Sequence, residues 1–334
     1  MAEADSAPRW GVMGTGGRAH ALARALGPHL RAVGSRSHER ARAFAHTWNL
    51  AAFHSTYADL AADPGVDVVH VATPHPWHHP HTLLALHAGK HVLVEAPLAM
   101  NASQTSQLLH TAHRAGRFLM EGSAPRHLPV HRLVHDLITQ GAIGQINSLH
   151  AQYDLHTPYD PAHRHFDLER GGGALLDLGV HPLWLAHWYL GELTVVGATR
   201  RLAPGRMVDT ATTMLAHGDS GATATLSCAS QAPSTQQVLI TGSGGHVQIH
   251  GLRNAEHAVL HRQGQAPQPL YRPAQGGAHL HQTQEVARCL QQGRTQSPVM
   301  PWAHSQALAL ALDQVRDMGT LLPEPTHLTH PPQP

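Results

Sequence analysis

Trp10-Gly-Val-Met-Gly-Thr-Gly-Gly-Arg-Ala19 is the stretch that decides the fold. Its first four residues read as a short apolar strand, the glycines as a turn, and residues 20–26 as the start of a helix. Strand, Gly-x-Gly-x-x-Ala and helix, in that order, form a dinucleotide-binding turn. Gly14 permits the tight bend, Gly16 lets a pyrophosphate approach the backbone, and Ala19 lets helix and strand pack closely. A glycine-rich turn with no ligand is the plainer alternative for the motif alone, so its context has to decide.

That context alternates. Residues 30–34 are a second strand ending in Ser35-Arg36-Ser37. An NAD-specific site usually has a carboxylate there, on the ribose 2′-hydroxyl, and a carboxylate repels a 2′-phosphate. A hydroxyl and a guanidinium suit the phosphate instead, so NADP is favoured over NAD, with a plain surface role for Arg36 as the alternative. Residues 51–53 are a small strand and 56–62 a helical turn. Val66-Asp-Val-Val-His-Val-Ala72 reads as a strand buried on both faces, followed by Thr73, Pro74 and His75 at its carboxyl edge. Residues 77–89 are helical, 91–94 a strand, 101–115 a helix with Asn101 as its cap, and 117–120 a sixth strand. The alternation predicts a doubly wound parallel sheet over residues 1–123.

The strand at 91–94 runs into Glu95-Ala96-Pro97, at the edge where open α/β sheets bind ligands. The run His75-Pro-Trp-His-His-Pro-His81 invites a metal, but the prolines break regular ligand spacing and no cysteine or carboxylate cluster joins it. No metal is expected, and His78 is read as a residue at a helix start beside a nicotinamide.

The second half changes character at Ala124. A helix over 130–139 and a strand over 145–153 lead into a polar loop, 156–170, long enough to be a substrate loop. Gly171-Gly-Gly-Ala-Leu-Leu-Asp-Leu-Gly-Val-His181 follows and opens an apolar helical run to residue 190. Asp177 and His181 are four apart, on one helix face, where a carboxylate can orient an imidazole for acid/base work. A buried polar pair that only fixes packing is the alternative. Strands at 195–202, 210–216, 222–230, 236–241, 246–250 and 258–261 predict an antiparallel meander. Helices over 279–292 and 302–318 close this substrate-binding α+β domain, 124–322, and the Pro-rich tail 323–334 reads as disordered. The fold class is thus α/β + α+β.

Bulk properties exclude several partners. Of 334 residues, 13% are charged and the formal net charge is +1, which offers nothing to nucleic acid or an anionic membrane. No run approaches the ~18 apolar residues of a membrane span, and the polar N-terminus lacks a signal peptide's apolar core. Two distant cysteines, Cys228 and Cys289, suit a reducing compartment, so a cytoplasmic protein is expected. The 33 histidines read mostly as solvated helix faces. Lys90 is the only lysine.

Taken together, Gly14-Thr-Gly-Gly-Arg-Ala19, Ala72-Thr-Pro-His-Pro-Trp-His78, Ala88-Gly-Lys-His-Val-Leu-Val-Glu-Ala-Pro97, Gly141-Ala-Ile-Gly144 and the 171–181 segment resemble the family of glucose-fructose oxidoreductase, inositol dehydrogenase and trans-dihydrodiol dehydrogenase. The resemblance implies a Rossmann domain joined to an open-faced sheet, and a homodimer or dimer-based tetramer formed through that face. It implies hydride transfer between NADP or NAD and a carbinol of a sugar, polyol or cyclic diol. It also assigns roles. Gly14, Thr15, Gly16, Gly17 and Arg18 would hold the pyrophosphate, Ser35 and Arg36 the 2′-phosphate, and Thr73, Pro74, His75, His78, Glu95 and Ala96 the ribose and nicotinamide. Arg126, His156, Arg164, His165, Asp177 and His181 would meet substrate, with His181 as general acid/base.

One departure stands out. The family's Glu-Lys-Pro is Glu95-Ala96-Pro97 here, and Lys90 lies at the opposite end of the strand, ~20 Å away at strand rise. Loss of a cation that stabilises a developing alkoxide costs ~2.7–4 kcal/mol. Three readings stay open: an enzyme that works without lysine, a non-catalytic cofactor-binding regulator, or a deliberately inactivated variant.

Overall fold

The computed structural model describes residues 7–205, 207–234 and 236–322. The Pro-rich tail and residues 1–6 lie outside them. The first strands arise in short, mainly apolar runs: β1 (Trp10–Met13), β2 (Leu30–Gly34), β3 (Ala52–His54), β4 (Val68–Val71), β5 (His91–Glu95) and β6 (Leu119–Gly122). All pair in parallel, in the order β3-β2-β1-β4-β5-β6. Val12, Val68, Val69 and residues 92–94 are inaccessible, as strands covered on both faces must be. Five helices separate them: α1 (Gly17–Leu26), α2 (His38–Trp48), α3 (Tyr57–Ala62), α4 (His78–His87) and α5 (Ala102–Ala115). Ser37, Thr56 and Asn101 cap α2, α3 and α5, each accepting a hydrogen bond from the backbone N–H three residues on. The order of connection reverses between β1 and β4, which opens a crevice at the carboxyl ends of these strands.

Short helices α6 (Ala124–His127) and α7 (Pro129–Thr139) lead into β7 (Ile146–Asp154). After the 155–174 loop a π-helical turn, Leu175–Gly179, runs into α8 (Val180–Leu190). The remaining strands are β8 (Leu193–Leu202), β9 (Asp209–Gly218), β10 (Thr223–Ala229), β11 (Gln237–Gly242), β12 (Gly245–His250), β13 (His257–Arg262), β14 (Gln268–Tyr271) and β15 (Thr320–Leu322). Helices α9 (Gly277–Gln291) and α10 (Trp302–Met318) precede the last of them.

The second sheet is not the simple meander expected. Its order is β14-β13-β12-β11-β7-β10-β9-β8-β15, and β7 runs parallel to β10, as β15 does to β8. The chain leaves β7 through α8, long enough for a crossover, so the later strands close on both sides of β7. Met214, Ala216, Ala224 and Leu226 face the α8 side and are buried, while Thr213, Leu215, Thr223 and Thr225 are exposed on the other. The two C-terminal helices also do more than close this domain. The Trp302 indole N–H donates to the Leu119 carbonyl at 2.9 Å, and Arg316 donates to the Met100 carbonyl, so α10 joins the two sheets.

Candidate active site

The crevice beside β1 is a cleft of about 900 Å³. Gly14 has φ +111°, and a Cβ there would lie 3.0 Å from the Ala72 carbonyl oxygen, so only glycine fits. At Gly16 and Gly17 the opposite holds, because an added Cβ would meet nothing within 4 Å. Gly16 begins α1 with no side-chain cap. The helix N-terminal N–H groups therefore face open space, which fits a dinucleotide pyrophosphate. Thr15, Gly17 and Arg18 line the same wall.

Ser35 and Arg36 line the cleft as expected, joined by Ser37, Arg40 and Tyr57. The Arg36 guanidinium lies 5.7 Å from the Trp77 ring centroid. Arg40, absent from the expected set, sits in the first turn of α2, whose start is marked by the Ser37 cap.

Thr73, Pro74, His75 and His78 also line the cleft. His78 is fully buried, with Nδ1 2.7 Å from the Pro97 oxygen and Nε2 2.7 Å from the Thr73 oxygen. Burial pushes its pKa down to about 4; the neutral ring donates to one of these carbonyls and has no nitrogen spare for a ligand. It ties the turn after β4 to the turn that holds Ala96, so its role is positioning.

Glu95 is buried at the end of β5, its Oε1 3.1 Å from His70 Nε2 and 2.9 Å from His279 Nε2, with Oε2 3.6 Å from Arg18 Nε. Burial opposes ionisation, but the Arg18 charge and the two imidazole hydrogen bonds hold the carboxyl well below its ordinary range. His70 and His279 were missed by sequence. His70 is the polar interruption in an apolar strand, a usable signal; His279 arrives from α9 with no local signal. Ala96 lines the cleft. Lys90 Nζ donates to the carbonyls of Asp63 and Val66 at 2.7 Å each, pinned at the other end of β5.

Asp177 lines the cleft and collects partners from three directions. His165 Nδ1 donates to Oδ2 at 2.7 Å, Arg164 Nη2 donates to Oδ1 at 3.0 Å, and His75 Nε2 lies 3.4 Å from Oδ1. Burial works against the charge, yet the His165 hydrogen bond and the His75 and Arg164 charges keep the carboxyl ionised far below its usual range. The expected Asp177–His181 pair does not form: among the described residues no hydrogen bond or ion pair joins them. The π turn puts more residues into each turn, so the position four residues on no longer lies above the carboxylate. His181 instead packs edge-on to Tyr153, centroids 5.4 Å apart.

Of the six expected substrate contacts, Arg164 and Asp177 line the cleft and four do not: His165 and His181 are buried beside Asp177 and Tyr153, and the other two are elsewhere. His156 is exposed and lines no part of the cleft. Arg126 is buried, donates to the Val299 carbonyl at 2.7 Å, and stacks 4.0 Å from the Trp184 centroid. Its two aromatic neighbours, Trp184 and Trp188, make it part of the packing between α6 and α8. Among the described residues no cluster of three or more His, Cys, Asp or Glu could hold a metal ion, and no helix is long and apolar enough to cross a membrane.

Comparison with known proteins places this geometry. Residues 8–123 match the model of the oxidoreductase family with an NAD-binding Rossmann fold, and residues 131–248 match the GFO/IDH/MocA C-terminal domain. A mouse trans-1,2-dihydrobenzene-1,2-diol dehydrogenase is 31% identical over 95% of this chain and 98% of its own length. An NADP(+)-dependent D-xylose 1-dehydrogenase from Hypocrea jecorina is 30% identical over 95% and 93%. A 3-ketoreductase from Actinomadura kijaniata, solved with NADP and TDP-benzene, superposes with a TM-score of 0.86 at 29% identity, covering 96% of this chain and all of that one. The chain belongs to the GFO/IDH/MocA oxidoreductase family.

Proposed function

We propose that this member of the family is an NADP(H)-dependent oxidoreductase that interconverts a carbinol and a carbonyl on a sugar, polyol or cyclic diol. One observation carries the reading: a single cleft has in its wall both the bare glycine backbone at the start of α1 and the charged pair Arg164 and Asp177 from the second half of the chain. The backbone of 14–18 holds the pyrophosphate, and Ser35, Arg36 and Arg40 the 2′-phosphate. The nicotinamide, when bound, supplies the hydride donor or acceptor. Asp177, His165 and His181 stand on the substrate side. The named activities of the relatives, a diol dehydrogenase, a pentose dehydrogenase and a ketoreductase, support this substrate class.

Ala96 occupies the position where the family resemblance expects a lysine, and the one lysine is held elsewhere. The test is turnover of purified protein with NADP+ over a panel of sugars, inositols and diols, alongside Ala96→Lys. Turnover by the parent is expected. Activity only in Ala96→Lys would identify a disabled enzyme, and tight NADPH binding with no turnover in either would identify a cofactor-binding regulator. The exposed face of the second sheet supports a homodimer, or a tetramer of such dimers, which size-exclusion with light scattering will read. The buried free thiols of Cys228 and Cys289 support a cytoplasmic setting, and the domains divide between 123 and 124.

A further inference from the structure

We propose that His165, oriented by Asp177, is the group that takes and returns the proton of the substrate hydroxyl. This rests on the oxidoreductase reading above and names a residue within it.

The tautomer of His165 is fixed by its partner. An ionised carboxylate only accepts, so Nδ1, 2.7 Å from Asp177 Oδ2, carries the hydrogen. Nε2 is then a bare lone pair. It is buried and has no partner among the described residues, in a side chain only 5% exposed. A buried acceptor left unmet costs ~1–3 kcal/mol; the ring is not itself in the cleft wall, but its neighbours Arg164 and Asp177 are, and a substrate hydroxyl entering between them is the donor assigned to it. The backbone holds the ring in place. Gly173 N–H donates to the His165 carbonyl at 2.9 Å, and a Cβ at Gly172 would lie 2.4 Å from that same oxygen. The glycine triplet thus allows the 164–166 segment to press against the turn carrying Asp177.

Charge separates His165 from His181. A proton gained at His165 sits against the Asp177 carboxylate, itself anchored on its other oxygen by Arg164 and flanked by His75. A proton gained at His181 has no hydrogen-bonded carboxylate; burial disfavours it first, then the Arg253 and Arg18 charges, and the more weakly felt Glu95 and Asp177 charges do not offset them. His181 is therefore held neutral, and His165 is the ring whose imidazolium form has a counter-ion waiting. In the oxidative direction the hydroxyl O–H bond breaks and its proton goes to Nε2. The adjacent C–H hydrogen leaves with its electron pair to the oxidised nicotinamide, and the carbon–oxygen double bond forms. The reductive direction reverses each transfer.

The test compares His165→Ala, His165→Gln and His181→Ala in the full chain. Each is read by pH profiles of kcat and kcat/KM, NADPH affinity by fluorescence, and rescue with added imidazole. In parallel, 15N-histidine NMR follows the His165 ring in the parent and in Asp177→Asn. Both His165 variants should lose at least about 100-fold in kcat, with NADPH affinity and KM near the parent's. The acid limb of the profile should flatten, and imidazole should restore part of the activity of His165→Ala. His181→Ala should keep the acid limb. The NMR signal should report a hydrogen on Nδ1 in the parent, and that single-tautomer preference should be lost in Asp177→Asn. A His165 variant that retains the limb, with His181→Ala losing it, overturns the assignment and leaves the oxidoreductase reading intact. A parent that turns over nothing removes both.

Discussion

In the proposed reading Arg36 carries the choice between two dinucleotides. It stands at the end of β2, where a carboxylate would hold a ribose hydroxyl, and its guanidinium leans toward Trp77 at 5.7 Å. A charge-assisted hydrogen bond contributes ~1.5–3 kcal/mol, so Arg36→Ala should weaken NADP(H) by roughly 10- to 100-fold while NAD(H) changes by no more than about threefold. Calorimetric titration with both cofactors decides it, and equal weakening would reduce Arg36 to a packing residue. The place of Ser35 and Arg36 in the cleft wall was legible because they directly follow β2, at whose carboxyl end the cleft opens. Arg40 was not, because it reaches the cleft from the next helix, and only the Ser37 cap fixes where that helix starts. At Glu95 the same limit is sharper: its partner His279 is 184 residues away, and no spacing rule spans that distance.

Between residues and domains the decisive element is the π turn with the glycines before it. Four-residue spacing paired Asp177 with His181, but that rule belongs to an α-helix, and Leu175–Gly179 is not one. What the sequence did show was the glycine triplet, and the structure explains it by contact. A methyl group on Gly172 would lie 2.4 Å from the His165 carbonyl and 2.6 Å from that of Arg164, both backbone atoms that cannot step aside alone. Gly172→Ala should therefore destabilise by ~1–3 kcal/mol, lowering Tm, and should reduce kcat more than NADPH affinity because the 164–166 segment moves against Asp177. An unchanged Tm with unchanged kcat would show that the segment yields freely. The second sheet failed to read as a meander for a related reason: each strand has its own alternation, but nothing local in β7 says that β10 and β11 will close on either side of it.

Across the whole molecule the histidines set the response to acid. Sequence placed most of the 33 on solvated faces, yet His78, His127 and His131 are wholly enclosed or nearly so, and burial pushes their pKa values down to about 4, 3 and 4. In the unfolded chain each takes a proton near 6.5. The unfolded state then binds more protons, so the stability these rings allow is full above about pH 6.5 and is lost as pH falls toward 4. Glu121 acts in the opposite sense. Burial raises its carboxyl to about 7, and Oε2 lies buried without a partner while Oε1 accepts from Leu98 N–H at 3.1 Å. Its contribution is full below the unfolded carboxyl value and declines as pH rises through 7. Stability should thus peak between about pH 6.5 and 7. Urea unfolding should show a loss of at least about 1.4 kcal/mol per pH unit between 6 and 5, the slope of one proton. Glu121→Gln should remove an opposing fall between about pH 4.5 and 7 and so steepen the acid limb. A stability flat from pH 7 to 5 would mean that the enclosed rings find protons without unfolding, and that His78 holds the Thr73 and Pro97 carbonyls as an imidazolium donating to both.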